Sequence, residues 1–97
     1  MGPSASPASE LEAQLAREGL KPIRWSNGPD AVYSEHAHPY RKILVVASGS
    51  ITFTVVGPSA AARRVPMTAG DRLELPAQTR HSALVGPAGV VCVETHV

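Results

Sequence analysis

The chain has 97 residues, 43% of them hydrophobic and 18% charged, with a net charge of +1. That is length for one globular domain and excludes intrinsic disorder. The basic residues are scattered, with Arg41-Lys42 and Arg63-Arg64 the only adjacent pairs, so no nucleic-acid footprint is expected. No apolar run approaches the roughly 20 residues of a membrane span. Cys92 is the only cysteine, which rules out an intrachain disulfide, and Met1 to Ser9 has neither a charged nor an apolar segment of a secretory leader; a cytoplasmic setting is the expectation. A domain this short buries about 60–65% of its unfolded surface, so a homodimer interface would support a thin core.

In chain order, residues 1–8 are Pro, Ser and Ala and read as a flexible lead-in. Residues 9–20 read as a helix, with Ser9 as cap, Glu12 completing a capping box, Leu11 and Leu15 on one face, and Gly19 as the left-handed stop. Residues 21–97 change to short strands separated by Gly, Pro and Asn. Eight strands are predicted: Ile23–Ser26, Ala31–His38, Lys42–Ala47, Ile51–Val56, Arg64–Met67, Asp71–Leu75, Ser82–Val85 and Val90–Thr95. Close, even spacing points to an antiparallel sandwich or barrel. Lys42–Ala47 is apolar on both parities past Lys42 and reads as central. Leu44, Val46, Ile51, Phe53, Leu73 and Leu75 are the expected core.

His36 and His38 stand one residue apart, and side chains at i and i+2 of a strand share a face. The same parity would turn Ser34 inward and Glu35 and Ala37 outward. A lone histidine on a half-buried strand is ordinarily just hydrogen-bonded. Two on one face, with His81 following downstream, can converge on one point, and neutral imidazole is the commonest metal ligand. Three such donors would hold a divalent first-row ion and leave positions open for water or substrate.

These residues resemble the cupin superfamily, small jelly-roll β-barrels marked by two motifs. The first runs HxH, three or four residues, Glu, six residues, Gly; here it reads His36-Ala37-His38, Pro39-Tyr40-Arg41, Lys42, six residues, Gly49. The second runs Gly, five residues, Pro, x, Gly, two residues, His; here it reads Gly70, five residues, Pro76, Ala77, Gln78, Thr79-Arg80, His81. The resemblance covers roughly Asp30 to Val97. It implies an all-β, antiparallel jelly-roll/cupin β-barrel with a short N-terminal α-helix, a homodimer, and one divalent transition metal ion (Fe, Mn, Ni, Zn or Cu) on His36, His38 and His81.

Lys42 stands where the family usually has a metal-binding Glu, Asp30 and Gln78 replace family glycines, and Val85 replaces an Asn. The missing glycines affect turn quality, whereas Lys42 alters the site itself. An ammonium within about 4–6 Å of a divalent ion is repulsive. Either Lys42 swings away or helps to bind an anionic substrate, or the histidines are relics lining a pocket. Three-His variants within the family include dioxygenases, so loss of the Glu does not imply loss of metal.

Tyr40 and Arg41, on the bend after the motif, could form a cavity lip. Glu94 and His96 share a parity with Cys92 on the last strand; one of the three could face the cavity, though a structural or surface role is the plainer reading for each. Glu35 would coordinate only if a bulge turned it inward. Cys92 reads as a small buried hydrophobe and Trp25 as a core or interface anchor. Lys42, Tyr40 and Glu94 are the candidate substrate-binding residues. The function implied is a metal-binding cupin, an oxygenase-type enzyme acting on a small anionic or thiol molecule. The alternative is a non-catalytic small-molecule-binding or sensor cupin with a vestigial or absent metal site.

Overall fold

The structure is a computed structural model that describes residues 6–57 and 61–97. One helix, α1 (Pro7–Arg17), precedes six strands: β1 (Ile23–Asn27), β2 (Val32–His36), β3 (Lys42–Val56), β4 (Ala62–Thr68), β5 (Arg72–Leu75) and β6 (His81–His96). The helix starts two residues before the expected one because Ser6, not Ser9, caps it: the Ser6 hydroxyl accepts from the Ser9 amide at 3.1 Å, ahead of a proline that needs no partner. Ala8 is accordingly buried against the sheet rather than part of a lead-in; of the segment 1–8, residues 1–5 lie outside the described residues. At the other end Gly19, at φ 83°, stops the helix, with Gly19 N–H donating to Ala16 O and Leu20 N–H to Leu15 O.

The eight expected strands become six because two predicted breaks are bends inside continuous strands. β3 runs through Ser48-Gly49-Ser50 and β6 through Gly86-Pro87-Ala88-Gly89. Across the β3–β6 pair, Gly49 opposes Val90 and Ile51 opposes Val85, so residues 86–89 loop out opposite Ser50 alone. Gly49 is required at this bend. Its φ is 76°, and a Cβ there would lie 2.0 Å from the Gly89 carbonyl oxygen.

The bends divide one antiparallel pair between two sheets. On one side β1 pairs with the C-terminal half of β6 and β5 with the N-terminal half of β3; on the other β2 pairs with the N-terminal half of β6 and β4 with the C-terminal half of β3. All pairings are antiparallel, in a jelly-roll arrangement. Among the described residues no pairing joins β1 to β2 or β4 to β5, so the sheet is open rather than a closed barrel.

Alternation decides what each face holds. Leu44, Val46, Ile51, Phe53, Leu73 and Leu75, the expected core, are all buried between the sheets. The opposite parity of the first sheet, Ala47 and Val93, packs under Ala8 and Leu15 of α1 in a second, smaller cluster. β3 is therefore buried on both sides from Ile43 to Ala47, as its doubly apolar sequence predicts. Ion pairs Glu12–Arg24 (2.6 Å) and Glu18–Arg72 (3.0 Å) tether the helix at its middle and its C-cap, both at the surface and each worth little alone. No helix among the described residues is long and apolar enough to cross a membrane.

Candidate metal centre

Three loop-proximal positions bring the histidines together. His36 is the last residue of β2, His38 follows in the connection to β3, and His81 opens β6, directly opposite His36 in the ladder. Their ligating atoms all lie within 4.8 Å of one another, and the ring centroids are 4.4–5.3 Å apart. His81 is 2% exposed, while His36 and His38 keep some contact with solvent.

The local route to this arrangement differs from simple alternation. The β2–β6 register shifts between Tyr33 and His36, so a bulge at Ser34-Glu35 places Tyr33 and His36 on the same wall and leaves Ser34 exposed instead of inward. His38 shares the face of His36 because the chain turns there, outside the strand. The bulge does not bring Glu35 inward: its carboxylate binds Arg80 at 2.5 Å on the surface.

Hydrogen bonds set the tautomers. His36 Nδ1 faces the Ser34 carbonyl at 2.6 Å and His81 Nδ1 the Thr79 carbonyl at 2.9 Å. A carbonyl only accepts, so each Nδ1 carries the proton and each Nε2 is left with a lone pair. His38 Nδ1 lies 3.2 Å from the Tyr40 hydroxyl. The Nε2 atoms of His38 and His81 are buried without any partner. An orphaned buried acceptor is costly, and two of them aimed at one point, each with its other nitrogen anchored, have the form of a histidine metal site with its supporting hydrogen bonds. The residues present fit a divalent ion. Burial, followed by the nearby Lys42 ammonium and the neighbouring imidazoles, holds His38 below the usual histidine range; burial and the same neighbours lower His81 against an opposing effect of the Thr79 bond.

The histidines line a cavity of about 370 Å³ between the sheets. The same cavity is lined by Lys42, at the start of β3, and by Glu94 and His96, near the end of β6. Lys42 pairs with His96 and Leu44 with Glu94 in the ladder, so all three polar side chains emerge on the cavity side. Lys42 Nζ lies 3.3 Å from Glu94 Oε1, Trp25 Nε1–H donates to the same oxygen at 2.5 Å, and His96 Nε2 meets Oε2 at 2.7 Å. Glu94 is 8% exposed, so its role is neither superficial nor a lone charge in the core. Lys42 has not swung away; it faces into the cavity with its charge matched.

Tyr40 lines the cavity wall as a lip residue, stacked between His38 (centroids 4.9 Å apart) and His96 (4.1 Å). Arg41, beside it, turns outward to Glu74. Trp25 packs against the core and lines the cavity, set edge-on to Tyr33 at 5.9 Å. Cys92 is fully buried, and burial beside Glu94 pushes its thiol up to about 12. Trp25 and His96 were not singled out as site residues by sequence reasoning. The signal was the parity shared by Glu94 and His96, which could not be read without knowing which parity faces in.

No protein-family model matches the sequence, and no curated protein matches it. Solved structures do match. Oxalate decarboxylase from Bacillus subtilis, in a study of its Mn(II) centres, superposes with a TM-score of 0.73 at 19% identity over 77% of this chain and 20% of that one. Oxalate decarboxylase from Lactobacillus farciminis in its formate complex gives 0.72 at 17% identity, over 77% and 22%. An oxalate oxidase gives 0.71 at 19% identity, over 81% and 42%. The chain spans about a fifth of the length of these decarboxylases and less than half that of the oxidase. At such identities the likeness concerns the backbone, and together with the two bent strands and the histidine-lined cavity between them it gives the chain the cupin fold.

Proposed function

We propose that the protein is a small metal-binding cupin whose His36, His38 and His81 hold one divalent transition ion, and that it acts as an oxygenase-type enzyme on a small anionic or thiol molecule. The observation that carries this is the pair of buried, partnerless Nε2 atoms on His38 and His81, converging with His36 inside a cavity. An ion bound there supplies Lewis acidity or, if redox-active, oxygen activation. The chain's own residues do the rest. Ser34 O and Thr79 O fix the tautomers of His36 and His81, and with Nε2 of His38 ligating, its Nδ1–H donates to the Tyr40 oxygen. No carboxylate stands within the ligand group, so the ion keeps its full charge and favours anions; Lys42 adds a second cation in the same cavity. Tyr40 and Glu94 complete the substrate-facing wall. The solved neighbours, one with Mn(II) centres, are named for oxalate, a small dianion, which supports the anionic class.

Protein purified without added metal should carry close to one first-row ion per chain by elemental analysis, and His36→Ala with His38→Ala should carry none. An unchanged metal content in the double variant would place the ion elsewhere. Oxygen uptake with small acids and thiols then separates the enzyme from a ligand-binding cupin, which binds without turnover. A homodimer in a cytoplasmic setting belongs to the same reading. Supporting it are the uncovered outer face of the second sheet, where Val32 and Leu84 are cross-strand neighbours 73% and 51% exposed, and the free, buried Cys92. Light scattering of the eluting protein at twice the chain mass is the expected result.

A further inference from the structure

Beside the histidines, across the ring of Tyr40, the same cavity contains a complete charge arrangement of its own. Glu94 accepts from Trp25 and Lys42 on one oxygen and meets His96 on the other. A carboxylate with three partners has little capacity left for a ligand. Lys42 is different. An ammonium has three N–H donors, and Glu94 is its only ion-pair partner among the described residues. The rest of the cavity lining is largely apolar and includes Tyr33, Ile51, Phe53 and Ala83, with the Phe53 ring 6.3 Å from that of His81.

We propose that Lys42 anchors the carboxylate of a small organic acid with an apolar body, and that Glu94 is a specificity-determining residue that sets the strength of that anchor by compensating the ammonium charge. This rests on the reading of the cavity as a ligand site, but not on the metal. The apolar wall has no counterpart in a ligand such as oxalate, which is carboxylate at both ends. It matches an acid that places a hydrocarbon portion against Phe53 and Ile51 while its charged end reaches Lys42. Glu94 opposes that charged end at close range, with the Lys42 and Glu94 side chains only 13% and 11% exposed, where such interactions are strong. Trp25 and His96 hold the Glu94 carboxylate in place, so the opposition is built in.

The test is calorimetric titration of the protein as isolated, and again after chelation of metal, with butyrate, benzoate, oxalate and uncharged butyramide. Butyrate and benzoate should bind the chelated protein at least tenfold more tightly than either butyramide or oxalate. Lys42→Met should weaken butyrate about tenfold and Lys42→Arg should restore most of the loss. Glu94→Gln, which keeps the shape and the acceptor for Trp25, should tighten butyrate about tenfold and leave butyramide unchanged. Oxalate binding the chelated protein as tightly as butyrate overturns the apolar-acid assignment. Glu94→Gln weakening butyrate overturns the role given to Glu94, and it does so even if Lys42→Met fails to fold. A wild-type protein without metal would sink the three-His centre while leaving these titrations unaffected.

Discussion

Two neighbouring polar groups in the cavity treat buried atoms in opposite ways. Among the histidines, Nε2 of His38 and of His81 are buried and unpartnered; beside Lys42, Glu94 is buried but holds three partners. Folding tolerates an orphaned acceptor only where something else repays the desolvation. The histidine group therefore leaves two buried nitrogens open to a ligand. The Glu94 group is self-sufficient, and its contribution is charge placement.

The comparison breaks most readily at Lys42. Removing its ammonium in Lys42→Met leaves Glu94 buried with only Trp25 and His96, and stability should fall by about 2 kcal/mol, a Tm lower by roughly 10 °C. A thermal melt unchanged within about 2 °C would show that the pair contributes nothing to the fold. Next comes metal affinity. Lys42→Glu restores the family's carboxylate but sets it against Glu94, now 3.3 Å from the Lys42 ammonium. The single variant should therefore gain little, and Lys42→Glu combined with Glu94→Gln should bind zinc about tenfold more tightly, about 1.4 kcal/mol, in a competition assay.

The pH dependence sharpens the contrast at the histidines. His38 and His81 are both held below the ordinary histidine value near 6.5, chiefly by burial. The unfolded chain then takes up protons first as pH falls, so their contribution to stability is full above about pH 6.5 and declines below it. Metal requires the same neutral rings. Melting of the chelated protein should thus drop between about pH 7 and 5, and metal occupancy should fall in the same window; a flat profile would contradict the burial of these rings. The smallest effect concerns the turn that delivers His81. Gln78 adopts φ 63°, and its amide donates to the His38 carbonyl at 2.7 Å. Gln78→Gly relieves the left-handed strain and should raise stability by about 0.5–1 kcal/mol in chemical denaturation.

That turn also shows what the sequence could and could not reveal. The two positions where family glycines are missing, Asp30 and Gln78, are the two non-glycine residues with positive φ among those described (61° and 63°), so the backbone conformation persists without the residue that makes it easy. The histidine triad was legible because motif spacing survives local irregularity: His36, His38 and His81 come together even though His38 lies outside the strand and a bulge shifts His36. Ser34 was misplaced for the same reason, since a bulge changes parity without any mark in the residues. The breaks at 48–50 and 86–89 were visible as Gly and Pro, but a bend within a strand and a loop between strands use the same residues. Glu94 was ambiguous because strand parity names two faces and only the docking of α1 on Val93 shows which is outer.

The order in which the chain is made acquires a meaning from β6. Residues 81–96 pair with Asn27 through Ile23, with Val32 through His36 and with most of β3, so the cavity walls lean on a strand made after the other five. A nascent chain that has reached Ala77 already carries His36, His38 and Lys42 and has nowhere to put them. Contacts such as Ile23 with Glu94 close very long loops, which slows folding. An ion held as proposed could not serve as an early template, because His81 lies on β6, after every other strand of the cavity.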